Sequence, residues 1–150
     1  MKFQQAIDSA LFKNYFNLEG KATRSEYWWF GLFVVLLIFA TPILATTVAA
    51  TIGLYEVSGV VKVVNYSIGI VLAVTFLPYL GVSVRRFRDA GRGKEEAIVV
   101  FFLAIITQLM VPIGDQEAII RMPEIMTVPI LVVGVAASFY SLYIALKKSV

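Results

Sequence analysis

The sequence predicts an all-α, polytopic integral membrane protein with four transmembrane helices, preceded by a short amphipathic N-terminal helix at the interface. Three observations predict it. First, the 150-residue chain is 59% hydrophobic and 15% charged, with a mean hydropathy of +0.83; soluble domains are roughly 45–50% apolar and about 25% charged. A soluble fold of this size has no interior large enough for that much apolar surface, so lipid must cover part of it. Second, the apolar residues gather into long uncharged runs. Third, the charges are lopsided along the chain: eleven of the thirteen Lys and Arg fall in segments that a four-span threading puts on one side.

The chain reads as one membrane domain, 1–150, with an arm at 1–26, spans at 27–50, 63–84, 97–113 and 125–146, and a basic loop at 85–96. In the arm, Phe3, Ile7, Ala10, Leu11, Tyr15 and Leu18 follow the spacing of one helical face, with Lys2, Gln4, Gln5, Asp8, Ser9 and Lys13 on much of the rest. This pattern suits a short helix lying on the membrane surface. Phe12 and Phe16 fall off the stripe, and a frayed arm is the alternative, since helices of this length are marginal in water. Met1-Lys2 leads into Gln4, Gln5, Asp8 and Ser9 without an apolar core, so no signal peptide is expected.

A polar junction follows, in which Ser25 is the expected helix cap and Glu26 opposes the positive end of the helix dipole. The first span, 27–50, has no charged residue; its 24 residues reach roughly 36 Å, enough for a hydrocarbon core of about 30 Å. Trp28 and Trp29 anchor its inner end. Pro42 leaves the Ile38 carbonyl without its helical donor and should kink the helix. Thr41, Ala45 and Ala49 recur every four residues and offer a small-residue packing face.

An outer connection with Glu56 and Lys62 leads to the second span, where Gly69 and Ala73 form another small pair and Pro78 lies near the inner end. The third span is the weakest, with Thr107, Gln108 and a stop near Pro112. An outer loop with Asp115, Glu117, Arg121 and Glu124 precedes the fourth span, which carries Pro129, the Gly134/Ser138 pair, and Tyr140 and Tyr143 toward the inner surface.

Inner segments hold Lys2, Lys13, Lys21, Arg24, Arg85, Arg86, Arg88, Arg92, Lys94, Lys147 and Lys148; outer segments hold Lys62 and Arg121. This is a positive-inside distribution over short loops, so both termini are expected in the cytoplasm and the span number is even. A two-span chain would need the third and fourth segments to form a re-entrant hairpin.

Two passages carry a resemblance: Glu19-Gly20-Lys21-Ala22-Thr23-Arg24-Ser25-Glu26-Tyr27-Trp28, and Leu77-Pro78 through Arg85-Arg86-Phe87-Arg88-Asp89-Ala90-Gly91-Arg92. The chain resembles the bacterial inner-membrane proteins of the domain-of-unknown-function family DUF805, the YhaH-like proteins. Glu26, Tyr27, Trp28, Pro78, Arg85, Arg86, Asp89 and Arg92 stand where that family's motifs put them. Lys21 and Thr23 replace Arg, Phe87 replaces Leu, Arg88 replaces His, and Gly93-Lys94-Glu95-Glu96 occupies the place of an aromatic pair. The resemblance implies residence in the cytoplasmic membrane of a bacterium and supplies no activity.

The chemistry is bounded by what is missing. Without Cys or His the chain has no thiolate, no disulfide and no imidazole base or ligand. No cofactor, metal or catalytic residue is expected, and the protein is read as a non-enzyme. An enzyme would have to work with carboxylates such as Glu26 and Asp89, or with a Ser and a Lys. The candidate binding residues are Arg24, Arg85, Arg86, Arg88 and Arg92, with Glu26 and Asp89 ordering them, because guanidinium forks suit phosphate. The expected partners are the lipid bilayer, an anionic phospholipid headgroup, a homo-oligomer or a membrane partner protein. The competing reading is that these cations only set orientation and touch anionic lipid without specificity.

Arg92-Gly93-Lys94 is not a phosphate loop, since Arg88 stands where the first Gly belongs and Glu95 where Ser or Thr should follow. A nucleic-acid partner is not expected from a membrane-edge loop of five cations. No charged residue falls inside the four spans, which disfavours ion-coupled transport. A small oligomeric channel or transporter is the alternative function. Thr41, Thr46, Thr75, Thr107, Gln108 and Ser138 are the deepest polar side chains, expected to hydrogen-bond between helices.

Overall fold

Among the residues that the computed structural model describes, 1–110 and 124–149, every regular element is a helix. The order is α1 (Phe3–Asp8), a π-helical turn (Ser9–Lys13), α2 (Arg24–Thr51), α3 (Val57–Asp89), α4 (Lys94–Met110) and α5 (Glu124–Leu146). Three stretches are long and apolar enough to cross a membrane: α2, α3 and Val128–Leu146 of α5, with mean hydropathies of 2.5, 2.0 and 2.0. Their outward side chains, among them Phe39, Ile43, Ile70 and Val132, are exposed. Helices suit that setting because they satisfy every interior backbone group within the segment.

α2 starts at Arg24, so Ser25 lies in the first turn instead of capping it; its hydroxyl accepts from the Met1 ammonium at 3.3 Å. α2 ends in a Schellman turn. Gly53 adopts φ +76°, its N–H donates to the Ala50 carbonyl, and the Leu54 N–H donates to the Ala49 carbonyl at 2.9 Å. This stop leaves a short connection before Val57, and Lys62 lies within α3 rather than in the loop.

The larger difference lies at the other end of α3. The expected basic loop 85–96 is helical through Asp89, and α4 resumes at Lys94. Arg is a good helix former, cations are favourable at a helix C-terminus, and nothing breaks the chain before Gly91. There, at φ +78°, the Gly91 N–H donates to Arg88 and the Arg92 N–H to Phe87, a second Schellman turn. Glu95 and Glu96 then open α4, where acidic groups complement the helix dipole.

The chain divides into two compact units, 1–17 with 25–82 and 18–24 with 83–150. In the first, α2 and α3 meet through aromatic rings: Tyr27 and Phe30 lie 6.2 and 6.3 Å from Tyr79. Such ring pairs add about 0.5–1.5 kcal/mol each beyond area burial. Thr41, Ala45 and Ala49 form a buried face, as their spacing predicts. Gly69 and Ala73 face outward instead, because a small-residue spacing alone does not say which side of a helix is covered.

The arm belongs to this unit. Phe3 meets Trp29 edge-on at 5.7 Å, Ala6 and Ala10 are buried, and Phe12 and Phe16 are exposed. The π turn is closed by the Asn14 N–H on the Ser9 carbonyl at 2.8 Å, backed by the Asn14 side-chain amide on the same oxygen. Residues 14–17 then run against α3, where a Cβ on Gly81 would stand 3.2 Å from the Asn17 carbonyl oxygen. Tyr15 makes the contact that explains this path. Pro78 has no N–H, so the carbonyl four residues earlier, on Val74, has no helical donor; the Tyr15 hydroxyl donates to it at 3.0 Å.

In the second unit α4 and α5 pack together, with Ala97, Phe101, Gly134, Ala137, Ile144 and Ala145 buried. Phe87 meets the Tyr140 ring edge-on at 6.2 Å. The expected end of the third span at 111–113, Pro112, and the outer loop with Asp115, Glu117 and Arg121 lie outside the described residues. So do the side chains of Thr107, Gln108 and Glu124. The described polar residues of the spans turn inward on their own helices. Thr41, Thr75 and Ser138 donate to Leu37, Val71 and Gly134 at 2.7, 2.8 and 2.9 Å, where helix-to-helix bonds were expected. A hydroxyl one turn beyond a carbonyl reaches it without leaving its rotamer, so the local bond wins.

Candidate functional site

The C-terminal end of α3 is its most enclosed part. From Leu80 to Phe87 every residue is buried, Arg85 and Arg86 included. A charge in such a place must be paired and hydrogen-bonded, and Arg86 is. Its guanidinium contacts the Asp89 carboxylate and the Lys147 carbonyl, and donates to the Ile144 carbonyl at 3.4 Å. Asp89 also accepts from the Ser149 hydroxyl at 2.6 Å. Arg24 donates to the Leu146 carbonyl at 3.4 Å. The last carbonyls of a helix have no donors of their own; here two guanidinium groups cap the end of α5. Of the predicted site residues, Arg24, Arg86 and Asp89 thus hold the fold together.

Two further bonds tie the connector 18–24 to the same helix end. The Ala22 N–H donates to the Arg85 carbonyl at 3.1 Å, and Arg88 donates to the Leu18 carbonyl at 3.2 Å. Glu26 lies in the other unit. It is buried, and its carboxylate accepts from the Ser9 hydroxyl at 2.9 Å, so its described bond orders the arm.

Arg88 and Arg92, joined by Lys94, face an open groove of about 660 Å³ lined by Leu18, Glu19, Arg88, Arg92, Gly93, Lys94 and Glu95, whereas the predicted site residue Arg85 is buried and does not line it. Each lining cation has a local reason for its place. Arg88 is fixed by the Leu18 carbonyl. Arg92 follows the left-handed Gly91 and comes within 3.9 Å of Glu96, which in turn accepts from the Tyr140 hydroxyl. Lys94 is the first residue of α4. Only Arg88 and Arg92 among these lining residues were singled out by sequence reasoning. Lys94 sat in the same cation run, the threading already puts Glu19 on the same side as Arg88, and Glu95 gave no signal beyond being an acid near cations. Leu18 looked like the end of the arm's apolar stripe.

The family described as Protein of unknown function (DUF805) matches residues 15–146 of this chain. The chain belongs to the DUF805 family. Membership gives this DUF805 protein relatives without an assigned activity, so its groove has to be read from its own chemistry. No curated protein and no solved structure matches the chain.

Proposed function

We propose that this DUF805 protein is a non-enzymatic component of the bacterial cytoplasmic membrane that holds the phosphate of an anionic lipid headgroup in the groove beside Arg88, Arg92 and Lys94. The observation that carries the reading is the gathering of these three cations around one concave surface at the end of a long apolar helix. Its volume falls within the roughly 300–1,000 Å³ typical of small-molecule sites. Guanidinium pairs bind phosphate oxygens in a fork, and a lysine adds a point charge.

In this reading α4 supplies the described part of the remaining span, 97–110 of the expected 97–113, which reaches about 21 Å at 1.5 Å per residue. Four spans put both termini and the groove on the cytoplasmic side, in keeping with the positive-inside distribution. The arm lies along the inner ends of α2 and α3, with Phe12 and Phe16 offered to lipid.

The test is native mass spectrometry of protein extracted in mild detergent, comparing wild type with an Arg92→Gln/Lys94→Gln variant. Bound phospholipid should fall several-fold while helicity and sidedness of both termini hold, since Arg24, Arg85, Arg86 and Arg88 are untouched. Equal lipid retention by the variant overturns the assignment. Ion flux through reconstituted vesicles would place the protein among channels instead.

A further inference from the structure

The groove is not simply cationic. Glu19 and Glu95 line it alongside Arg88, Arg92 and Lys94. A headgroup that is only anionic would set its phosphate near two carboxylates as well as near three cations, and part of the attraction would be cancelled. A headgroup that carries both a phosphate and an ammonium can use both signs of charge in the groove. Leu18 adds an apolar wall to the same groove.

We infer that the groove selects a phosphodiester bearing a primary ammonium, the phosphoethanolamine headgroup, with the phosphate on Arg88, Arg92 and Lys94 and the ammonium on Glu19 and Glu95. This rests on the phosphate-binding part of the reading above and changes the rest of it: the favoured headgroup is zwitterionic, not net anionic. The primary amine matters because its three N–H donors can bond to carboxylates, whereas a trimethylated amine has none. The backbone at this place is well defined, since Gly91 fixes the turn at φ +78°.

Exposed ammonium–carboxylate pairs are each worth a few-fold in affinity, so two of them predict a preference of about fivefold over a phosphoglycerol headgroup. The experiment reconstitutes wild type in nanodiscs containing equimolar phosphatidylethanolamine, phosphatidylglycerol and phosphatidylcholine, and counts retained lipids by native mass spectrometry. The expected order puts phosphatidylethanolamine first by about fivefold. Glu95→Gln should reduce that preference, and Glu19→Gln/Glu95→Gln should abolish it, with phosphatidylglycerol retention unchanged or raised. Equal retention of the ethanolamine and choline lipids by wild type, or an undiminished preference in both variants, overturns this inference alone. Loss of no lipid in Arg92→Gln/Lys94→Gln overturns the headgroup reading itself. A soluble arm separates the two sources of the same chemistry. If glycerophosphoethanolamine at equal concentration displaces the bound lipid, the site belongs to a soluble compound and the lipid assignment falls; if it does not, the lipid assignment is supported.

Discussion

Removing Arg86 should do more damage than removing Arg88, Arg92 or Lys94. Its side chain is fully buried and makes contact with a carboxylate and two backbone carbonyls. Arg86→Gln strips the positive charge from beside Asp89, which is itself buried, and takes donors from the end of α5. Breaking a buried pair by deleting one partner costs about 3–5 kcal/mol. That is a large part of the 5–15 kcal/mol typical of whole-domain stability. Asp89→Asn should cost less, because the guanidinium keeps its two carbonyls, and Arg86→Met/Asp89→Leu should cost less than Arg86→Gln alone, since no buried charge is left uncompensated. The assay is unfolding in mixed micelles with increasing denaturing detergent, followed by circular dichroism. A second readout uses the absence of native cysteine: a single Lys148→Cys reporter should label faster once α5 loses its cap. If Arg86→Gln unfolds within about 1 kcal/mol of wild type, or Arg86→Met/Asp89→Leu costs as much as Arg86→Gln alone, the buried-pair argument is refuted.

Three more outcomes follow from the geometry. Tyr15→Phe leaves the Val74 carbonyl without the donor that Pro78 withholds and should cost about 0.5–1.5 kcal/mol; in a Pro78→Ala background, where the helical N–H returns, the same change should cost little, as a double-variant melt will read. Gly81→Leu should push residues 14–17 off α3, because even a Cβ meets the Asn17 carbonyl oxygen at 3.2 Å; limited proteolysis would then cut the arm first. Gly91→Ala forces a side chain into φ +78° and should destabilise by about 1 kcal/mol, while Gly31→Ala, with nothing within 4 Å of its Cβ, should stabilise α2 by about 0.5–1 kcal/mol in thermal melts.

Apolar length made the helices of this chain easy to see in its sequence, and four-residue spacing made the buried Thr41–Ala45–Ala49 face visible too. The same spacing failed at Gly69 and Ala73, because periodicity names a face without naming its neighbour. Charge counting treated Arg85, Arg86 and Arg88 alike, as loop residues; it reads sidedness and is blind to burial. So it missed that Arg86 and Arg24 serve α5 while Arg88 and Arg92 face a groove. The Tyr15–Pro78 relation spans 63 positions and has no local signature. It emerges only when the proline's missing donor and the arm's path are known together. Of the acids in the groove, Glu95 had no signal of its own, whereas two intervening spans already bring Glu19 back to the side of the cation run.

The cap on α5 also sets an order of events during synthesis. Arg24 and Arg86 leave the ribosome 122 and 58 residues ahead of the carbonyls they will hold, so for most of translation their acceptors do not yet exist. The elongating chain therefore carries Arg86, a cation buried in the finished fold, and the exposed Arg24 in a provisional setting until its final helix arrives. A ribosome stalled short of Ile144 would yield a product with every apolar segment made and its latch still open, a natural mark for membrane proteases to recognise.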